Sequence, residues 1–458
     1  FSRTYPLLFD LNRLGCTSGR KTVSVWDKLV TLIKVRMLCL HLSNSVVMHR
    51  YWGTPGGGQL VCASAADALR SAGMKVALSG VFSFDPKQYV RWFGIDISGM
   101  RTYTMGVGPK AFGLLATAFE WIPAKRAIRD TNAELLFTDD PTYRPLLSSF
   151  PDLRVLEYVH FPLEASLNPR LRHLGFYYKD DPHITSRYGH FPMSAYWKVY
   201  MHLTEKYMRP NPFEYAAVVF TNSRWTASVI KKIYGKDPLV LNPPLPPSAS
   251  IKGSPAPFSA RKNAVVMLGR FSEEKRYDWV ISDMGKQLKK MGIKLVTFGG
   301  AVTGTQKMYL ERVKGEAKRA GLTISMGIAE PERALSEGSD IWIVSNAPRD
   351  LINYVMDRAK IFLHATVNEH WGIAVAEAMA RGLPVVVHKS GGAWTDLAEE
   401  GKTGMGYEKS SEAINALSKL ISDEVLWDSL SRASLKRTSE VSLDMFEQSF
   451  LNVVEKIM

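Results

Sequence analysis

From Met37 onward, short apolar runs alternate with longer segments of helical spacing, and no other feature constrains the fold as much. A strand, a covering helix and a further strand make a unit of parallel sheet with both faces buried. The first strand is expected at 38–42, a tight turn at Gly56-Gly57-Gly58, a helix at 59–72 and the next strand at 75–78. Further strands are expected at 133–138, 154–160 and 217–222. Between Pro243 and Pro257 the chain reads Pro-Pro-Leu-Pro-Pro-Ser-Ala-Ser and then Lys-Gly-Ser-Pro-Ala-Pro, a composition that resists helix and strand. After this linker the alternation restarts, with strands expected at 264–268, 294–298, 323–326, 361–364 and 384–388. The fold class is therefore α/β, two Rossmann-like doubly wound domains facing a cleft, where ligands meet the carboxyl ends of the strands. The expected division is an extension at 1–36, a first domain at 37–247, a linker at 248–262, a second domain at 263–438 and a helix at 439–458 crossing back to the first domain.

A chain of 458 residues exceeds one core of ordinary size, and its 46% hydrophobic and 22% charged content is that of a folded protein. Lys and Arg total 58 against 44 Asp and Glu, a net charge of +14, which favours anionic partners but cannot choose among nucleotide phosphates, nucleic acid and an anionic membrane. Cys16, Cys39 and Cys62 show no paired spacing, pointing to a reducing compartment. The apolar stretch 29–40 is broken by Lys34 and Arg36, so no membrane-spanning segment is expected, while Trp26, Leu29, Val30 and Ile33 fit either a basic surface-lying helix or one packed on the protein. The chain opens at Phe1 rather than Met, leaving room for an upstream segment.

The richest motif is Asn368-Glu369-His370-Trp371-Gly372-Ile373-Ala374-Val375-Ala376-Glu377, just after the strand at 361–364. Gly372 opens a helix, so the amides of Gly372, Ile373 and Ala374 are expected to face an anion, with Glu369 and Glu377 flanking it. Donors for a diphosphate beside acceptors for sugar hydroxyls suit a sugar nucleotide. Arg270 and Lys275 follow the first strand of the second domain and could neutralise the diphosphate as it leaves. Ser390-Gly391-Gly392 fits either a tight turn or a set of small residues and free amides at the donor sugar. His160, at a strand's carboxyl end before Phe161-Pro162, fits either a core position or the cleft.

Together with His49 to Gly58, Tyr158-Val159-His160-Phe161-Pro162, Asn222-Ser223-Arg224-Trp225-Thr226 and Asn242-Pro243-Pro244, these motifs resemble glycosyltransferase family 4, over most of residues 37–458. Within that family the likeness is to members that add α-1,2-linked mannoses to a dolichol-linked oligosaccharide. The resemblance implies the GT-B fold, transfer with retention, and no metal or other cofactor beyond the nucleotide-sugar co-substrate, with mannose from GDP-mannose as the first expectation. It implies that Glu369 meets donor-sugar hydroxyls, Glu377 the ribose, Arg270 and Lys275 the diphosphate, and that His160 sits beside the transferred sugar. Gly57, Gly58, His370, Gly372, Ile373 and Ala374 complete the expected donor site. Gln59 departs from the pattern, where a Glu usually follows the glycines.

The metal-free expectation has separate support: no Asp-x-Asp, His-Glu-x-x-His or paired-Cys spacing occurs. Residues 170–210 interleave Arg170, Arg172, Lys179 and Arg187 with many aromatics, a mixture that suits a membrane headgroup zone or lipid-phosphate acceptor, single-stranded nucleic acid, or an ordinary insertion. The expected partners are a nucleotide-sugar donor, a lipid-linked acceptor and a membrane surface, with no nucleic acid; the expected place is cytoplasmic, peripheral to a membrane's cytosolic face. Two rivals remain at this level: a transferase using a UDP- or ADP-sugar with a small soluble acceptor, and a non-catalytic nucleic-acid-binding protein, which leaves the Glu369 to Glu377 motif without a purpose.

Overall fold

The computed structural model describes residues 43–106, 118–174, 188–207, 211–251, 253–328, 330–336 and 338–458. The expected strand at 38–42, the extension at 1–36, and Lys179 and Arg187 lie outside them.

Two seven-stranded parallel sheets follow one another along the chain. The first contains β1 (Asn44–Met48), β2 (Lys75–Gly80), β3 (Arg101–Thr104), β4 (Leu135–Thr138), β5 (Arg154–Val159), β6 (Val218–Thr221) and β7 (Leu239–Val240), in the order β3-β2-β1-β4-β5-β6-β7. The second contains β8 (Lys262–Arg270), β9 (Lys294–Gly300), β10 (Ile324–Met326), β11 (Ile341–Ser345), β12 (Ala359–His364), β13 (Val385–His388) and β14 (Met405–Tyr407), in the order β10-β11-β9-β8-β12-β13-β14. In each sheet the chain reverses its direction of travel once, between β1 and β4 and between β8 and β12, and a crevice opens beyond the strand ends there.

Helices cover both faces, so alternate side chains of one strand enter different cores. In the second sheet Val265, Leu295, Ile341, Ile343 and Ile361 pack on one face, while Ala264, Val266, Val296, Trp342, Val344 and Phe362 pack on the other. Five strands were not expected from the sequence: β1, which lies at Asn44–Met48 rather than 38–42, and the four strands β3, β7, β11 and β14. Three of these four are edge strands of two to four residues, too short to show a period. The fourth, β11, is a run of apolar residues that becomes a strand by pairing with β9 and β10.

The proline-rich connection is a packed strap. Leu245 and Ala249 are buried against the second domain's core, Ser248 Oγ donates to the Trp92 carbonyl at 2.9 Å, and Asn353 donates to the Ser248 carbonyl at 3.1 Å. The final helix, Leu443–Ile457, begins at Ser442, whose hydroxyl accepts from the Met445 amide. It presents Phe446, Phe450 and Val454, at i, i+4 and i+8, to the core of the first domain, where Phe450 meets Phe137 edge-on at 5.3 Å.

Candidate active site

The carboxyl ends of β1, β4, β5, β8 and β12 all open on one cavity of about 1230 Å³ between the two sheets. Its first-domain wall carries His49, Gly58, Asp139, Glu157 and His160; its second-domain wall carries Arg270, Lys275, Asn368, Glu369 and His370.

On the second-domain side, Glu369 follows Asn368, which turns the chain with φ 54°. Lys275 Nζ approaches Glu369 Oε2 at 2.6 Å, and His364 Nε2 reaches the same oxygen at 2.8 Å. Burial opposes a charge on Glu369, but Lys275 and then His364 outweigh it, and the carboxyl is held well below its usual range. Lys275, expected from the sequence to face a diphosphate, is paired with Glu369 in the cavity wall. Arg270 is 69% exposed at the rim and bonded to Glu274 at 3.2 Å, free to swing onto a phosphate.

The glycines at 391 and 392 brace this loop. A Cβ on Gly391 would fall 2.2 Å from the Glu369 carbonyl oxygen and one on Gly392 2.1 Å from that of His370, while the Gly392 amide donates to the Glu369 carbonyl at 2.7 Å. Ser390 Oγ accepts from the Asn368 amide at 2.8 Å. The alternative of free amides at the donor sugar is thus corrected for Gly392, because its N–H is already taken.

His370 points into an aromatic stack, 4.1 Å from the Phe161 ring and nearly parallel to it, with Trp225 at 5.8 Å. Burial lowers its pKa to about 4, so the ring is neutral near pH 7. Its carbonyl accepts from Ser223 Oγ at 2.7 Å, and Asp396 caps the first-domain helix Arg224–Tyr234 through the Arg224 amide at 2.8 Å. These contacts hold the two domains together beside the cavity.

Several expected donor residues do not line the cavity. Gly57 faces the Ile373 side chain, which a Cβ on Gly57 would meet at 3.1 Å. Gly372, with φ 100°, caps the seven-residue helix Ile373–Met379, and neither it, Ile373 nor Ala374 reaches the lining. Glu377 is 4% exposed and bound at both oxygens by Arg349, at 2.8 and 3.1 Å. The helix geometry explains this: residues 373–379 turn their inner face to the core, and Arg349 from the neighbouring helix covers the carboxylate. Arg170 and Arg172 are exposed on a short 3-10 turn away from the lining.

The first-domain side holds a cluster that sequence reasoning missed. Asp139 follows β4, its side chain 4% exposed; Oδ1 lies 2.8 Å from His49 Nδ1 and Oδ2 lies 3.0 Å from His160 Nε2. Burial opposes ionisation, yet His49 and His160 reverse it and hold Asp139 well below the usual carboxylate range. Gly58 lets these groups pack closely, since a Cβ there would lie 2.8 Å from Asp139 Oδ2 and 3.0 Å from His49 Cε1. The signal was available: Asp139-Asp140 directly follows an expected strand, where doubly wound sheets place ligand-binding groups. His49, Asp139 and Cys62 are the one group among the described residues with metal-ligating atoms mutually within 4.8 Å.

Beneath this cluster Glu157 accepts a hydrogen bond from Tyr143 at 2.6 Å. Burial first, then the negative charges of Asp140 and Asp139, push its pKa up to about 7 from an ordinary 4.5. A raised folded-state value means that its stabilising contribution is complete below pH 4.5 and is lost as pH rises through 7. Glu157→Gln is expected to raise the melting temperature by a few degrees at pH 8 and leave it unchanged at pH 5. Thermal denaturation across that range checks this, and an equal change at both ends would remove Glu157 as the source.

The fold and the two facing walls define a class. Residues 262–423, most of the second domain, match the family described as Glycosyl transferases group 1, and the paired sheets have the GT-B architecture. The fold is shared with HepE of Anabaena, solved with UDP and glucose (TM-score 0.61, 16% identity, 90% of this chain and 98% of that one). It is shared equally with sucrose-phosphate synthase of Thermosynechococcus elongatus (TM-score 0.62, 13% identity, 91% and 99%).

More particularly, the chain is similar to proteins named GDP-Man:Man(3)GlcNAc(2)-PP-Dol alpha-1,2-mannosyltransferase. The Candida glabrata protein is 28% identical over 55% of this chain and 46% of its own length; the human one is 27% identical over 52% and 48%. The chain spans about half the length of these two curated relatives.

Proposed function

We propose that this chain is a retaining mannosyltransferase that moves mannose from GDP-mannose to a lipid-linked oligosaccharide, without a metal. The observation that carries the reading is the pairing of two walls across one cavity: Lys275, Glu369 and Arg270 on the group 1 domain, and His160 held by Asp139 on the other. The names borne by the relatives supply the donor and acceptor.

In this reading Arg270 swings onto the diphosphate and Lys275 shares its charge between Glu369 and the leaving phosphate, lowering the barrier as negative charge develops. Glu369 accepts from the mannosyl hydroxyls, and His160 donates to one of them from the opposite wall. Glu377, buried and held at both oxygens by Arg349, braces the helix behind the donor loop from outside the cavity. Phe191 is 85% exposed beside the helix Met193–Tyr207, and Arg170 and Arg172 are exposed nearby in sequence. Apolar and cationic groups of this kind fit peripheral attachment to an anionic bilayer's cytosolic face. No helix among the described residues is long and apolar enough to cross a membrane.

The test offers GDP-mannose and a panel of UDP- and ADP-sugars, with excess EDTA, to the full chain, using a dolichol-linked glycan in anionic vesicles and a soluble glycan as acceptors. Chelator-resistant transfer from GDP-mannose to the lipid-linked glycan, with α-configured product, is expected. Transfer only from a UDP- or ADP-sugar to the soluble acceptor would establish the rival donor class, and loss of activity on chelation, restored by Mg²⁺, would overturn the metal-free assignment.

A further inference from the structure

The floor of the cavity holds a donor set that sugar transfer does not use in full. Gly58 and Cys62 stand four residues apart on the helix Gly57–Ser71, so both face the same way, onto Asp139 and the two histidines. Cys62 is fully buried, with its thiol beside Asp139. The ligand atoms of Cys62, His49 and Asp139 lie within 4.8 Å of one another, and His160 Nε2 is 3.0 Å from the second carboxylate oxygen. The set is not saturated by its own hydrogen bonds: His49 Nε2 is buried without a partner, in a residue only 5% exposed.

A thiol, a carboxylate and two imidazoles make up the preferred donors of a borderline-soft, tetrahedral divalent ion. Bonds of about 2.0 to 2.3 Å set such ligand atoms roughly 3 to 4 Å apart, so Cys62, His49 and Asp139 need close in by only about 1 Å, and the more exposed His160 joins them by turning from the second carboxylate oxygen. Hard cations that prefer all-oxygen ligands, such as Mg²⁺, do not suit it. His49, Asp139 and His160 line the cavity, so the cleft provides the entry path.

We propose that Cys62, His49 and Asp139, completed by His160, bind Zn²⁺ or a cation of the same class, and that occupation switches off sugar transfer. On binding, the Cys62 thiol releases one proton to solvent and its thiolate sulfur bonds to the ion. Both imidazoles bind neutral, the carboxylate binds as an anion, and no oxidation state changes. Inhibition follows because Asp139 and His160 cannot ligate the ion and orient a sugar together. The inhibitory half rests on the proposed transferase reading; the binding half does not.

The experiment adds Co²⁺, a spectroscopic stand-in for Zn²⁺, to the full chain and to Cys62→Ser, followed by Zn²⁺ titrations of transferase activity. A near-ultraviolet thiolate-to-cobalt band that is displaced by Zn²⁺ and lost in Cys62→Ser is expected. Basal turnover of the variant should be unchanged, with its half-inhibitory Zn²⁺ concentration at least about tenfold higher. Should Cys62→Ser fold poorly, Cys62→Ala serves in its place, with proton release on Zn²⁺ addition read by a pH indicator. A cobalt band that persists without Cys62, or no thiolate band in the parent chain, overturns the site. A band present without inhibition overturns the switch alone, and absence of transferase activity with the band intact counts only against the transferase reading.

Discussion

Lys275→Ala is expected to lower turnover by roughly 100-fold or more and to lower the melting temperature as well. The side chains of Lys275 and Glu369 are 19% and 18% exposed, and their 2.6 Å contact is what keeps Glu369 ionised against burial. Removing the ammonium leaves a carboxylate in a partly desolvated site beside the place assigned to two phosphates in the proposed reading. Like charges then meet without a mediator, and the charge developing on the leaving diphosphate loses its nearest cation. The stability and turnover effects separate in the double variant Lys275→Ala/Glu369→Gln, which removes the unpaired charge: its melting temperature should recover, its turnover should not. Arg270→Ala, at an exposed rim position, should cost less turnover and leave stability unchanged. Near-parental turnover in Lys275→Ala would take the residue out of the mechanism.

Asp139→Asn is expected to reduce turnover by about 100-fold with little change in KM for the donor. The carboxylate accepts from both His49 and His160, one on each oxygen. An amide of the same shape keeps one acceptor and replaces the other with an N–H₂ donor, so one imidazole must flip its tautomer or swing away. Since His160 is 32% exposed at the side chain and His49 only 6%, His160 has the freedom to move. A positioning role predicts strong non-additivity: once His160 is replaced by Ala, the further change at Asp139 should cost little. Full additivity of the two changes would show that Asp139 acts independently of His160.

Much of this molecule was legible along the chain. Apolar runs bounded by Gly, Pro and Asn placed nine strands close to where they lie within the described residues, since burial on both faces demands near-continuous hydrophobicity. The proline-rich stretch marked the crossing between domains, and Arg270, Lys275, Glu369 and His160 were identified from their positions just after strands. What the sequence alone could not settle was which neighbours these groups share. Glu369 pairs with Lys275 across 94 residues, and Asp139 joins His49 across 90, contacts set by which strands lie side by side at the two crevices. Glu377 lies on a helix beginning just beyond the same loop as Glu369, yet points into packing covered by Arg349, and the glycines at 391 and 392 proved to be spacers against the Glu369–His370 backbone. Strand and helix depend on local period and hydrophobicity, which the sequence carries residue by residue. The charge state and direction of a site residue depend on what the sheet order brings within about 4 Å of it, which only the tertiary structure decides.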